Sequence, residues 1–414
     1  MALPAALRAF RHRDFRLFWG AQLVSLTGTW MQSVAQAWLV LELTNSPLRL
    51  GAVSALQFAP IIVLSFFTGA LADRRPKRRL VLVSQCVLFV QALLLALLVR
   101  FGHVQYWHVA VLALLYGVAN AVDMPARQAF VVEMVARDDL LNAIALNSSM
   151  FNAARIVGPA LAGFAIAAWG LSVAFFLNAL SFVPVLAALM ALHAEGRPHP
   201  RAGRSMSEEI REGVRYVMRT PRLTLTLAMM LAVSAFLFNY NVFVPLFARD
   251  VLGQGAQGFG LLMATLGVGA VTGGVTLAAL GRGRLPVAAL ATPAAVLAAL
   301  TATLSVVHSV PVAVALLFVM GFCGILFMAG SNSTVQLTVP DELRGRVLSL
   351  NTLVFAGSTP IGAFLVGSLA EAAGVALALL VAGACGLVSV VALLLWWNAR
   401  GRGPSLARAE GGSA

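Results

Sequence analysis

Twelve apolar runs, each long enough to cross a bilayer, dominate the sequence. They fall at residues 17–41, 48–72, 80–100, 106–126, 142–168, 172–192, 223–248, 257–281, 286–307, 311–335, 345–370 and 375–397. A helix needs about 20 such residues to cover the hydrocarbon core. Lipid offers no water to open backbone groups, so spanning segments must be helices or a closed barrel. The apolar/polar alternation of barrel strands is absent, and the expected fold is an all-α integral membrane protein. Composition agrees. Of the 414 residues, 60% are hydrophobic and only 11% charged, against about 25% charged in soluble domains. Twelve spans and short loops use up nearly the whole length.

The charges that remain are placed, not scattered. A net charge of +13 raises the question of nucleic acid, yet the arginines sit in the gaps between apolar runs, with no nucleic-acid-binding pattern beside them. With the N-terminus inside, 25 of the 29 Lys and Arg residues fall in loops of one side. Arg49, Arg100 and Arg249 fall on the other, and Arg155 lies within a span. The positive-inside rule therefore predicts both termini cytoplasmic. Cys86, Cys323 and Cys385 all lie in apolar runs, with no spacing for a disulfide framework or a zinc site. Arg8, Arg11, Arg13 and Arg16 precede a long first run without a small-residue cleavage site, which reads as a retained helix.

A short basic loop carries the strongest motif. Gly69-Ala-Leu-Ala-Asp73-Arg74-Arg75-Pro76-Lys77-Arg78-Arg79 ends one apolar run in a carboxylate and places five cations in six residues before the next. This resembles the signature loop of the major facilitator superfamily, between its second and third helices. The resemblance implies twelve transmembrane helices in two pseudo-symmetric six-helix bundles. It also implies that Gly69, Asp73, Arg74, Lys77 and Arg78 form a latch that holds the halves in one state. Pro76 stands where the family often has glycine. Asp123, at the end of the fourth run, needs a partner at the edge of the hydrocarbon. Arg127, Arg74 and Lys77 are in range, which favours a gate network with Asp73 over a proton carrier.

The chain divides as the superfamily requires: 1–192, a six-helix bundle; 193–222, a cytoplasmic linker with an amphipathic helix; 223–398, the second bundle; 399–414, a cytoplasmic tail. A gap-free repeat at offset 204 supports the division. It pairs Val135 with Val339, Asp138 with Glu342, Asn147 with Asn351, Gly158 with Gly362, Gly163 with Gly367 and Gly170 with Gly374.

Arg155 is the most informative single residue, because a bare cation within a span is costly. It shares one helical face with Asn147 and Phe151 at i−8 and i−4. It would either attract an anionic or polar substrate, or cap carbonyls and pair with a neighbouring helix. Gly158-Pro159-Ala-Leu-Ala-Gly163 follows and resembles the superfamily's fifth-helix antiporter motif, which goes with export, although Ala162 replaces a glycine. Polar amides and aromatics within spans pack between helices or line a path. In the superfamily the first, fourth, seventh and tenth helices surround the path. The candidates are Gln32, Gln36, Asn120, Asn147, Phe151, Arg155, Asn239, Tyr240, Asn332 and Asn351, and they suit a bulky amphipathic molecule.

Phe15-Arg-Leu-Phe-Trp-Gly-Ala-Gln-Leu-Val-Ser, Trp30-Met-Gln-Ser-Val-Ala, Pro125-Ala-Arg-Gln-Ala and Asn142-Ala-Ile-Ala-Leu-Asn resemble the branch with enterobactin exporters and macrolide efflux proteins. That implies a proton-coupled exporter of a siderophore or macrolide-like drug in a bacterial inner membrane. No carboxylate lies near the midplane of the first, fourth or seventh span, so no proton-carrying residue is named. Gly253-Gln-Gly-Ala-Gln-Gly258 fits a dinucleotide fingerprint but follows no strand. There is no phosphate-binding Gly-Lys loop and no catalytic constellation, so neither a cofactor, a metal nor an enzyme activity is expected. A small-molecule substrate, protons and the bilayer are the expected partners of a monomer. The rival readings are an importer or facilitator of the same fold, and a non-transporting membrane sensor.

Overall fold

The computed structural model describes residues 5–196, 206–279 and 286–401, and among the described residues there are helices and no strand. A short 3-10 turn, Ala5–Arg11, leads into α1 (Arg13–Thr44), α2 (Pro47–Arg74), α3 (Lys77–Arg100), α4 (Tyr106–Glu133), α5 (Leu140–Trp169) and α6 (Leu171–Ala191). A surface helix, α7 (Met206–Arg219), precedes α8 (Pro221–Phe236), α9 (Tyr240–Leu246), α10 (Ala256–Ala279) and α11 (Val287–Thr303). The last three are α12 (Val310–Thr338), α13 (Asp341–Ala373) and α14 (Val375–Gly401). Ten described segments are long and apolar enough to cross a membrane. They are joined by α1, its hydropathy diluted by Gln22, Gln32 and Gln36, and by α2, which lies along α13. The fold is the twelve-helix, two-bundle membrane architecture.

Local chemistry sets the ends. Ser46 caps α2 by accepting from the Arg49 N–H at 3.2 Å, with Pro47 in the first turn where its missing donor costs nothing. Asn45 ends α1 in the left-handed region, at φ 49°. Pro76 stops α2 from running into α3 and stands as the N-cap of α3.

The seventh span departs from its expected form. The sequence reads as one helix over 223–248, whereas the chain breaks at Leu237–Asn239 and then resumes as α9 and a single π turn, Phe247–Val251. Asn239 Nδ2 donates to the Ala235 carbonyl at 2.8 Å, and the Phe238 N–H reaches back five residues to Val233. The side chain thus competes with the helix for its own acceptors. Pro245, within α9, supplies no donor of its own.

Small residues set how the bundles meet, since lipid gives helices no hydrophobic reason to associate and packing must do it. The two bundles touch along α5–α10 and α2–α13. Each crossing is a bare-backbone contact. A methyl group at Gly163 would lie 2.5 Å from the Gly260 Cα, and one at Gly51 would lie 2.5 Å from the Ala363 carbonyl oxygen, next to Gly367. Gly163 and Gly367 are equivalent in the 204-residue repeat. So are Gly158, against Thr27 and Trp30 of α1, and Gly362, against Ala235 and Asn239 of the broken span. Gly170 and Gly374 share one backbone geometry, φ 85° and 86°, at the α5–α6 and α13–α14 corners. Only glycine adopts that geometry without strain.

The apolar core is correspondingly forked. Toward the face away from the basic loops, one cluster joins both bundles and includes Met31, Trp38, Ile166, Phe243, Phe259 and Val366. Toward the basic face, the bundles keep separate clusters, one around Phe15, Phe18, Phe130 and Phe182, the other around Leu223, Val335 and Val347.

Candidate functional site

The centre of the molecule is built on Arg155. It sits midway along α5, and Pro159 one turn on lacks the N–H that would have bonded the Arg155 carbonyl. Arg155 Nη1 reaches Met328 Sδ of α12 at 3.7 Å, across the bundle boundary. The break in the seventh span brings Tyr240 within electrostatic reach of the guanidinium. Gly324, one turn before Met328, makes room for it. A methyl there would touch Tyr240 Oη at 3.3 Å and Phe238 at 3.4 Å.

Rings wall the site. Phe238 packs against Tyr240, Phe327 and Phe355 with centroids 5.8, 6.3 and 6.2 Å away, and Tyr240 packs against Phe243 at 5.3 Å. Across the boundary, Phe151 meets Trp30 edge-on at 5.8 Å. Tyr240 Oη is buried without a hydrogen-bond partner, as are Asn239 Oδ1 beside it in the chain, Asn147 Oδ1 and Asn351 Oδ1 one turn from Phe151 and Phe355, and Ser331 Oγ and Thr334 Oγ1 further along α12 from Phe327. Buried polar groups are nearly always paired, which makes this stretch the candidate site.

On the side toward the basic face, residues flanking the site are exposed. Asn332 and Gln336 follow Met328 at one- and two-turn spacing, and both are exposed. Phe151, one turn from Arg155 in the same direction, is 42% exposed. The opposite end is shut. Ser46 Oγ and the Leu48 N–H both donate to Glu371 Oε2, at 2.8 and 3.2 Å. A carboxylate at the end of α13 thereby caps the positive N-terminus of α2. Arg249 Nη1 donates to the Leu41 carbonyl at 3.2 Å, Asn241 Nδ2 to Ser33 Oγ at 3.2 Å, and Trp38 stacks on Phe259 at 5.7 Å.

Other sequence candidates have different places. The Gln32 amide is committed within the first bundle: its Nε2 donates to Gln91 Oε1 at 3.1 Å, and its Oε1 accepts from Asn178 Nδ2 at 2.6 Å. Gln36, beside Ser33 and Asn241, lines a small cleft between α1, α2 and α9. Asn120 Nδ2 donates to the Tyr116 carbonyl at 3.1 Å. Asp123 is buried and held twice, by Gln85 Nε2 at 2.9 Å and by Arg127 Nε at 3.0 Å. Lys77 pairs with Glu133 at 2.6 Å, and Arg78 donates to the Leu189 and Met190 carbonyls at the end of α6. Arg74 is exposed at the end of α2. Gly69 and the side chain of Asp73 lie outside what the structure describes. Gly158, Pro159 and Gly163 are buried on α5 at the contacts with α1 and α10.

At the basic face the chain's start is tied down. The Ala9 N–H donates to Asn142 Oδ1 at 2.9 Å, and Asp139 takes His12 at 2.7 Å and Arg11 at 2.6 Å. The His12 hydrogen bond, with Arg11 beside it, holds the Asp139 carboxyl below its ordinary range.

Glu371, Gln85, Asn178 and Met328 are contributors the sequence reading does not single out. Glu371 alone carries a usable signal, an acid in the last turn of an otherwise apolar span.

Comparison with known proteins agrees with this architecture. The family described as transmembrane secretion effectors matches residues 4–401. The multidrug efflux pump Tap of Mycolicibacterium fortuitum is 28% identical over 365 residues, covering 86% of this chain and 88% of that one. The staphyloferrin A transporter of Staphylococcus aureus is 25% identical over 259 residues, 62% of this chain and 64% of that one. Among solved structures, a bacterial homologue of the human lysosomal transporter Spinster, inward-facing and unoccupied, superposes with a TM-score of 0.71. It is 13% identical and covers 95% of this chain and 96% of that one, a likeness of fold alone.

Proposed function

This chain belongs to the transmembrane secretion effector family of the major facilitator superfamily, and from that membership we propose that it is a secondary-active exporter of amphipathic organic molecules. One observation carries the reading: a ring-walled site with unpartnered polar atoms, flanked by exposed residues toward the basic face and shut at the other. With the basic loops and both termini cytoplasmic, that is an exporter waiting to be loaded from inside. A bacterial inner membrane suits the charge distribution. Residues 1–192 and 223–398 would rock as two units around the central site, joined by the 193–222 linker, in a monomer. Asp73, Arg74, Lys77 and Arg78 would close the basic face in the alternate state, with Asp123 and Arg127 bracing α4 beside them. A siderophore or an amphiphilic drug fits the relatives' names and the site's mixed lining.

The proton gradient is the proposed driving force. In everted vesicles, a fluorescent amphiphile should accumulate on energisation and stop accumulating when a protonophore collapses the gradient. Accumulation that persists after collapse refutes the coupling, and accumulation in intact cells refutes the direction.

A further inference from the structure

We propose that the cargo is anionic: the central site selects amphiphiles that bear a carboxylate or similar acidic group, which seats against Arg155. The inference rests on the export reading and deepens it.

Arg155 is a cation in mid-span whose described contact is a thioether sulfur at 3.7 Å, a weak acceptor. No acidic side chain meets it among the described residues. The sixteen acidic residues of the sequence stand in loops and toward span ends. The deepest of them with a described side chain, Asp123, already has one oxygen on Gln85 and the other on Arg127. Mid-span, Arg155 therefore holds a positive charge that no described carboxylate balances. Such a charge in low dielectric draws an anion strongly, and a guanidinium offers forked donors that match a carboxylate. Tyr240 Oη, buried and unpartnered, supplies a second donor close by. Phe151, Trp30, Phe238 and Phe355 give the apolar body of the molecule its surface. A cationic amphiphile of the same shape would meet Arg155 and find no free carboxylate beside it.

Two dyes with one xanthene ring system separate the cases: fluorescein, an anion, and rhodamine 6G, a cation. In everted vesicles carrying the full chain, fluorescein should enter faster than rhodamine 6G by about tenfold or more. Arg155→Gln should lower fluorescein uptake by about tenfold or more, Arg155→Lys should keep most of it, and Arg155→Glu should reverse the preference. Size-exclusion profiles and melting curves check that each variant is folded. If the Gln and Glu variants fail to fold, competition on the wild type decides: anionic amphiphiles should inhibit uptake of the preferred dye and cationic ones should not. A wild type that prefers rhodamine 6G, or a folded Arg155→Gln that carries fluorescein at the wild-type rate, overturns the anion proposal and leaves export standing. Transport of neither dye removes the export reading and this inference with it.

Discussion

At the scale of single residues, a buried charge is informative according to what already holds it. Asp123 has both oxygens occupied, which gives it a bracing role between α3 and α4. Replacing it by asparagine would strand Arg127. The expected loss is about 2–3 kcal/mol, below the roughly 3–5 kcal/mol of a fully buried pair because Arg127 keeps 16% of its side chain exposed. Thermal unfolding measures this, and adding Arg127→Gln should restore part of the loss, as in a double-mutant cycle. An Asp123→Asn protein that melts with the wild type would show that the pair braces nothing. Gln32 teaches the same lesson. An amide within a span reads equally well as path or as packing, and Gln91 and Asn178 settle its bonds from helices distant in sequence.

At the scale of helices, Gly163 and Gly367 do the same job in the two halves. Each lets its helix lie bare against a helix of the other bundle. A methyl at either glycine meets backbone atoms, which have no rotamer by which to yield. Gly163→Ala and Gly367→Ala should each disfavour the observed closure by about 1–3 kcal/mol, the usual cost of overpacking. Both variants should insert normally and transport poorly, to similar degrees. Accessibility labelling and flux measure this, and a large difference between the two would refute their equivalence. The repeat that pairs these glycines is legible in the sequence, as are the spans and the basic loops, because lipid imposes hydropathy and charge on the chain directly. The break at Leu237–Asn239 is not legible. Phe236 to Tyr240 is as apolar and aromatic as an intact helix would be, and the competition comes from one Asn239 hydrogen bond. Of the central site, Arg155 stands out in sequence because a mid-span cation is rare. Its neighbours Met328 and Gly324 do not, since nothing separates them from ordinary span residues until α5 and α12 meet.

At the scale of the whole molecule, the opposite-face closure should depend on Glu371, a carboxylate that accepts two hydrogen bonds across the bundle boundary. Glu371→Ala removes two charge-assisted bonds worth about 1 kcal/mol after solvent screening, a shift of about fivefold in the balance of states. Cys323, buried on α12 near Tyr240, reports it. With Cys86 and Cys385 changed to serine, a membrane-impermeant maleimide added at the face opposite the basic loops should label Cys323 about fivefold faster in the variant. Equal rates would mean the carboxylate does not hold the closure.

The glycine crossings carry a mechanical consequence. Where backbone lies on backbone there are no teeth to disengage, so at those points the helices part without a side chain being withdrawn from a socket. The swing between states is then gated at those points by the room the bare backbone leaves, and beyond them by charge and by water re-entering the gap.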